Sequence, residues 1–171
     1  MPQGLRWVQA GLQPGSHDLR GDAGTSLATL RFEPKPAITW AYTDRRRACA
    51  AMGPGHWDLC TERRGIAGLL GTRASVLMSG TDVGMLITSV YFMKGTLELM
   101  TGHRYLWDGG SASAFRDHDG KVLLQFEPGS LLERVNTYLD VQPEAARLSD
   151  WPLLAVLGLY LRLAMLEVFR Q

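Results

Sequence analysis

The C-terminal stretch "SDWPLLAVLGLYLRLAMLEVFRQ" (Ser149–Gln171) decides the fold, because it is either a membrane anchor or the inside of a folded domain. Ser149 or Asp150 can cap a helix, and Pro152 suits the first turn, where its missing N–H costs nothing. A helix that continues to Phe169 would be about 28 Å long. Because a bilayer core is roughly 30 Å thick, length alone leaves both alternatives open.

Arg162 favours the inside of a domain. It falls near the middle of the segment, where a charged side chain costs roughly 2.5–3.5 kcal/mol on membrane insertion. The uninterrupted apolar run is only Pro152–Leu161, and its apolar side chains cover every face of the helix, which must therefore be surrounded on all sides. Ala155 and Gly158 would let one face approach its surroundings closely. We expect Arg162 near the mouth of the enclosure, with its head group reaching water or a carboxylate.

The chain from about Ser26 to Val141 predicts many short strands separated by turns. The strand candidates include Ser26–Glu33, Ala37–Thr43, His56–Glu62 and Arg134–Val141. Asp119-Gly120 favours a type I′ hairpin, whereas Arg64–Arg73 fits either a short helix or a glycine-rich loop. Strands at this spacing favour an antiparallel barrel or sandwich over a parallel sheet. A closed sheet is the arrangement of strands that surrounds a helix.

Length and composition predict one domain, residues 1–171, with residues 1–18 as an extended or partly ordered N-terminal segment. The formal net charge of +1 argues against a dedicated nucleic-acid binder. No apolar segment follows a basic start, so we expect a cytoplasmic protein. Cys49 and Cys60 are too few for a disulfide framework; we expect them reduced, although they could pair across a hairpin. No cysteine or histidine spacing predicts a metal site, and no cofactor is expected.

Five motifs follow one another along the chain. They are "SLATLRF", "GHWDLC", "GTLELMTGHRYLW", "FRDHDGKVLLQFEP" and "WPLLAVLGLYLRLAM". Their order resembles the tubby C-terminal-like superfamily, which includes LURP-one-related proteins and phospholipid scramblases, and especially its small bacterial members of unassigned role. The resemblance covers roughly Leu19 to Met165. It implies a mainly β (α+β) fold, a closed antiparallel barrel of about twelve strands around a hydrophobic C-terminal helix at about residues 150–169.

The resemblance implies binding rather than catalysis. Tubby domains bind phosphoinositide headgroups through basic side chains, and scramblases act on phospholipids. This chain has neither the cysteine-rich acylation segment of scramblases nor an acidic calcium loop. We therefore expect a non-enzymatic binding or scaffold domain for an anionic ligand, such as a phospholipid headgroup, or for a protein partner. Membrane association would be peripheral at most, and no nucleic acid is expected.

Two arginine clusters form the candidate anion site. Its members are Arg45, Arg46, Arg47, Arg63 and Arg64. If both clusters lie in loops at one end of a barrel, their guanidinium groups can bind phosphate, whose geometry they match. The alternative is a solvated turn that Asp44 and Glu62 partly neutralise.

The segment "TGHRYLWDGG" (Thr101–Gly110) is a second candidate. Strand alternation places His103, Tyr105 and Trp107 on one face and Arg104 on the other. His103 and Arg104 could line a ligand pocket, although packing beside a turn also explains the pattern.

Nothing in the sequence indicates catalysis directly, since it contains no nucleophile elbow, P-loop or dinucleotide motif. Two other functions stay open. One is a tail-anchored membrane protein with a soluble β-rich head. The other is an enzyme at the barrel mouth around His103 and Arg104, which would need at least two convergent titratable groups.

Overall fold

The computed structural model describes residues 4–11, 15–34, 45–63, 71–89, 93–129 and 136–168, with backbone alone for Arg45, Arg63, Glu167 and Val168. Two predicted features lie outside these residues. They are the strand at Ala37–Thr43 and the helix or loop that was expected to begin at Arg64.

Twelve antiparallel strands form one closed barrel. They are β1 (Leu5–Gln9), β2 (Ser16–Arg20), β3 (Ser26–Phe32), β4 (Arg45–Met52), β5 (Gly55–Arg63), β6 (Thr72–Met78), β7 (Thr81–Thr88), β8 (Lys94–Leu99), β9 (Arg104–Asp108), β10 (Ser113–Arg116), β11 (Val122–Pro128) and β12 (Thr137–Val141). Each strand pairs with the next along the chain, and β1 pairs with β12, so that no sheet edge is left unpaired. The predicted closed antiparallel barrel is confirmed.

The N-terminal segment belongs to the barrel wall. Strands β1 and β2 fall within the segment that was expected to be extended or partly ordered, and β1 completes the closure by pairing with β12. Trp7 and Leu19 face each other across β1 and β2, and both are fully buried. The core therefore needs this segment.

Among the described residues there is one α-helix, α1 (Trp151–Val168), which follows a short 3₁₀ helix (Ala145–Arg147) and lies inside the barrel. It packs against β3, β4, β5, β10 and β11. Every residue from Leu153 to Leu161 is buried, as expected for a helix that is apolar on all sides. No helix in the described part of the chain has the length and apolarity needed to cross a membrane.

Gly158 sets how closely α1 approaches the wall. A Cβ atom at this position would lie 2.1 Å from a ring carbon of Phe126 on β11. Real Cβ atoms do not come that close to another heavy atom, so Phe126 fills the space that glycine leaves. The predicted close approach at this face of the helix is confirmed.

Arg162 is buried more deeply than predicted. Its side chain is 6% exposed, and Nη1 donates hydrogen bonds to the Ser111 carbonyl (3.0 Å), the Ser113 hydroxyl (3.2 Å) and the Phe126 carbonyl (3.4 Å). The expected contact with a carboxylate is not found among the described residues. Neutral oxygen atoms near the ends of β10 and β11 accept its hydrogen bonds instead, and burial lowers the pKa of the guanidinium.

The β10–β11 turn differs from the predicted type I′ hairpin. A type I′ turn needs positive φ at both central residues, but Gly120 (φ 82°) has positive φ and Asp119 does not. The Asp117 side chain stabilises the turn, since Oδ1 accepts hydrogen bonds from the backbone N–H groups of Asp119 (3.0 Å) and Lys121 (2.8 Å). The turn then needs only one residue with positive φ, which is Gly120.

The interior of the barrel has a polar half and an apolar half. We call the end where α1 finishes the C end; β3 and β5 finish there and β4 begins there. The buried serine, threonine, histidine and arginine side chains of the described residues all lie in the half next to this end. They are Ser16, His17, Thr61, Thr72, Thr88, Ser113, Thr137 and Arg162. The half around the start of α1 is filled by apolar and aromatic side chains.

Candidate functional site

The two arginine clusters meet at the C end. Arg45, Arg46 and Arg47 begin β4, and Arg63 ends the neighbouring strand β5; Arg64 lies outside the described residues. Arg45 pairs in register with Glu62, the residue before Arg63. The structure thus brings the clusters together, but in strands rather than in the loops that were expected.

Arg46 has a structural role within this group. Its guanidinium lies 4.5 Å from the centroid of the Phe32 ring, and Nη1 donates to the Glu33 carbonyl at 2.8 Å. The Arg46 carbonyl accepts a hydrogen bond from the Tyr160 hydroxyl of α1, which also contacts the Thr61 hydroxyl at 3.0 Å. Arg46 therefore ties β4 to β3 and to the helix.

Three exposed arginines share the outer surface of β3–β6, and we call Arg31, Arg47 and Arg73 the arginine face. Arg31 pairs in register with Cys49, two residues from Arg47, while Arg73 pairs with Glu62 on β5. Neighbouring strands lie about 4.8 Å apart, so the three positions fall within a few strand spacings. The arginine face forms no ion pair with the described residues, although Glu33 and Glu62 lie among its members.

Three other surface arginines are paired with carboxylates on their own or a neighbouring strand. Arg20 pairs with Asp18 at 3.4 Å, Arg104 with Glu98 at 3.0 Å and Arg116 with Asp108 at 3.8 Å. The arginine face differs from these three arginines because its members form no such ion pair with the described residues.

The two cysteines lie next to the arginine face and are both free. Cys49 lies opposite Asp58 in the register and Cys60 lies opposite Arg47, so the two thiols are not cross-strand partners. Partial burial, together with Asp58, raises the pKa of the Cys49 thiol. The expectation that both are reduced stays a prediction.

A second group of polar side chains lies at the other end of the barrel, where α1 begins. Asp150 Oδ2 accepts hydrogen bonds from the Tyr105 hydroxyl (2.8 Å) and from His103 Nδ1 (2.5 Å). Burial would raise the pKa of Asp150, but the hydrogen bonds from His103, Tyr105 and Ser149 outweigh it and lower the pKa. Burial and the adjacent carboxylate raise the pKa of Tyr105. The group joins the start of the helix to β9.

A cavity of about 490 Å³ adjoins this group. Its lining includes His103, Arg104, Tyr105, His118, Leu123 and Leu148. His103 and Arg104 thus line one cavity, as the sequence predicted. However, both are bound to carboxylates, and Asp117 and Glu144 also line the cavity, so its surroundings do not favour an anion. The described residues contain no cluster of side chains that could hold a metal ion.

The sequence analysis missed Asp150, Arg31 and Arg73 as site residues. Asp150 was recognised only as a helix cap, and its contact with His103 joins positions 47 residues apart. Arg31 and Arg73 are single charges within their strands, and alternation alone would have placed them on the outside. Their proximity to Arg47 depends on the strand order.

Comparison with known proteins identifies no relative: no protein-family model, no curated protein and no solved structure matches this chain. The resemblance to the tubby C-terminal-like superfamily stays a prediction.

Proposed function

We infer that this barrel is a non-enzymatic binding domain whose arginine face (Arg31, Arg47 and Arg73) binds anionic groups, with phospholipid headgroups as the leading candidate. The observation that carries the proposal is that three exposed guanidinium groups, on β3, β4 and β6, have no ion-pair partner among the described residues. Positive charge held on a rigid sheet suits the multiple oxygen atoms of a phosphate surface.

The packing of the apolar half of the interior leaves no room there for a large partner. The helix and the inward-facing side chains fill the apolar half, leaving the outer wall and the two ends for a large partner. The cavity beside His103 has titratable side chains, but they are bound to one another and lie among several carboxylates. It therefore gives less support to an enzyme than the arginine face gives to a binding domain.

The tail-anchor alternative has little support, because α1 is enclosed by the barrel. Its apolar side chains from Leu153 to Leu161 are already buried against the wall. A membrane anchor made from these residues would require the barrel to lose its core.

Co-sedimentation with vesicles tests the proposal. Phosphatidylcholine vesicles with phosphatidylserine should bind the full chain, and vesicles of phosphatidylcholine alone should not. Each arginine near an anionic surface contributes about 1 kcal/mol, so the Arg31→Ala/Arg47→Ala/Arg73→Ala variant should bind roughly 100-fold more weakly. Arg46 is left unchanged because it holds the fold together.

The matched control removes the same number of charges from another part of the barrel. Arg6→Ala/Arg20→Ala/Arg116→Ala changes β1, β2 and β10 and should bind like the unchanged chain in the same buffer. Equal weakening by both triple variants would mean that net charge alone drives binding, and the assignment to the arginine face would be wrong. Unfolding curves of each variant exclude loss of structure as the cause.

A further inference from the structure

The guanidinium of Arg162 is a cation enclosed in the polar half of the barrel. It is 6% exposed, and no carboxylate among the described residues contacts it. A buried charge without a counter-ion is costly. The partial negative charge at the end of a helix is confined to its last turn, and Arg162 lies six positions before Val168, so the helix does not supply the missing charge.

The hydrogen bonds of Arg162 use only one side of the guanidinium. Nη1 makes all three contacts, with Ser111, Ser113 and Phe126. A guanidinium has five N–H donors, so the three on Nε and Nη2 have no acceptor among the described residues. This edge is the one that binds two oxygen atoms of a carboxylate or phosphate side by side.

A further donor without an acceptor lies in the neighbouring wall. Phe126 lies on β11, two residues before Pro128. Pro128 pairs in register with Thr137 on β12, and Thr137 pairs in turn with Trp7 on β1. Trp7 is fully buried, and its Nε1–H has no hydrogen-bond partner. Buried N–H groups are rarely left unmatched, so the N–H of Trp7 is a second donor in this half of the barrel that lacks an acceptor among the described residues.

We propose that the polar half of the barrel binds a small oxyanion of the phosphate class, held side by side on the Nε–Nη2 edge of Arg162. Arg162 as a whole is 6% exposed, and neither Nε nor Nη2 is among the fully buried unpartnered atoms of the described residues. A small free ion can therefore reach this edge, whereas a headgroup that is still embedded in a bilayer is too large to enter. The site is separate from the arginine face, which lies on the outside of the wall, and does not depend on the function proposed for that face.

Thermal unfolding of the full chain in inorganic phosphate tests the site, with chloride at the same ionic strength as reference. Phosphate should raise the Tm along a saturating curve, by roughly 5–10 °C at about 100 times Kd. Arg162→Lys keeps the charge but loses the two-donor edge, and most of the rise should disappear. Arg20→Ala removes an exposed arginine that belongs to neither proposed site and should retain the full rise.

Isothermal titration of the unchanged chain with phosphate gives a second measurement that does not depend on a variant that folds. One site per chain is expected, and absence of both binding heat and a phosphate-specific rise in Tm would overturn the proposal. So would an equal rise in Arg162→Lys. Phosphatidic acid vesicles distinguish the source of the phosphate: Arg162→Lys should co-sediment as the unchanged chain does, and a loss confined to this variant would overturn the assignment to a free ion.

Discussion

Gly158 offers the sharpest test of how the helix is enclosed, through the substitution Gly158→Ala. In an ordinary exposed helix this change stabilises by about 1 kcal/mol, because alanine is the better helix former. Here the added methyl group would lie 2.1, 2.4 and 3.0 Å from three ring carbons of Phe126. The ring is fully buried and packs on Trp107, with 6.1 Å between the ring centroids, so it has little room to withdraw.

Overpacking of a filled core costs about 1–3 kcal/mol, and this contact is close enough to belong at the upper end. After subtraction of the gain in helix propensity, we expect Gly158→Ala to lower the free energy of unfolding by about 2 kcal/mol. For a chain of this size the Tm should fall by roughly 4–8 °C. Urea unfolding followed by tryptophan fluorescence measures the free energy, and calorimetry measures the Tm.

A double variant separates the clash from any general effect on the helix. Phe126→Leu makes room beside residue 158, so Gly158→Ala should be less harmful in that background by at least about 1 kcal/mol. If Gly158→Ala alone matches or exceeds the stability of the unchanged chain, α1 does not lie against β11 as described. Strict additivity of the two substitutions would lead to the same conclusion.

Three further substitutions test other contacts by urea unfolding. Asp150→Ala removes the acceptor of the buried Tyr105 hydroxyl and should lower the free energy of unfolding by about 1–3 kcal/mol. His103→Ala, at a half-exposed position, should lower it clearly less. Similar losses for the two variants would contradict this description of the group. Tyr160→Phe keeps the ring but loses the hydroxyl contacts with β4 and β5, and should lower the free energy of unfolding by about 1 kcal/mol. An unchanged free energy of unfolding would mean that these contacts are not important for stability. Burial lowers the pKa of His17 below 6.5, so the unfolded chain binds the proton more readily and stability should fall as the pH drops below 6.5. His17→Phe should reduce that slope by up to about 1.4 kcal/mol per pH unit, and an unchanged slope would assign it to other groups.

The enclosure of the helix could be predicted because it depends on a local property. Apolar side chains on every face between Leu153 and Leu161 require partners on every side, whatever the strand order. The same local reasoning was wrong for Arg45–Arg47. Three consecutive charges were interpreted as a loop or turn, yet strand alternation allows Arg47 to face solvent while Arg46 stacks on Phe32.

Contacts between distant residues could not be predicted in this way. The bond between His103 and Asp150 and the grouping of Arg31 with Arg73 both depend on which strands are neighbours. Hydrophobic periodicity assigns a residue to a face of its own strand, but it does not give the strand order. A prediction of these sites from sequence would therefore have required the register of the closed barrel.

The polar half of the interior gives the two proposed sites different energetic consequences. Arg162 lies within the packed interior, so a ligand that binds it also stabilises the wall formed by β10 and β11. The arginine face lies on the outer surface of the wall, where removal of Arg47 or Arg73 creates no cavity. Variants of the face should change binding with little effect on Tm, whereas variants at Arg162 should change both. Measurement of binding and Tm on the same set of variants therefore distinguishes an outer site from an inner one, even before either ligand is identified.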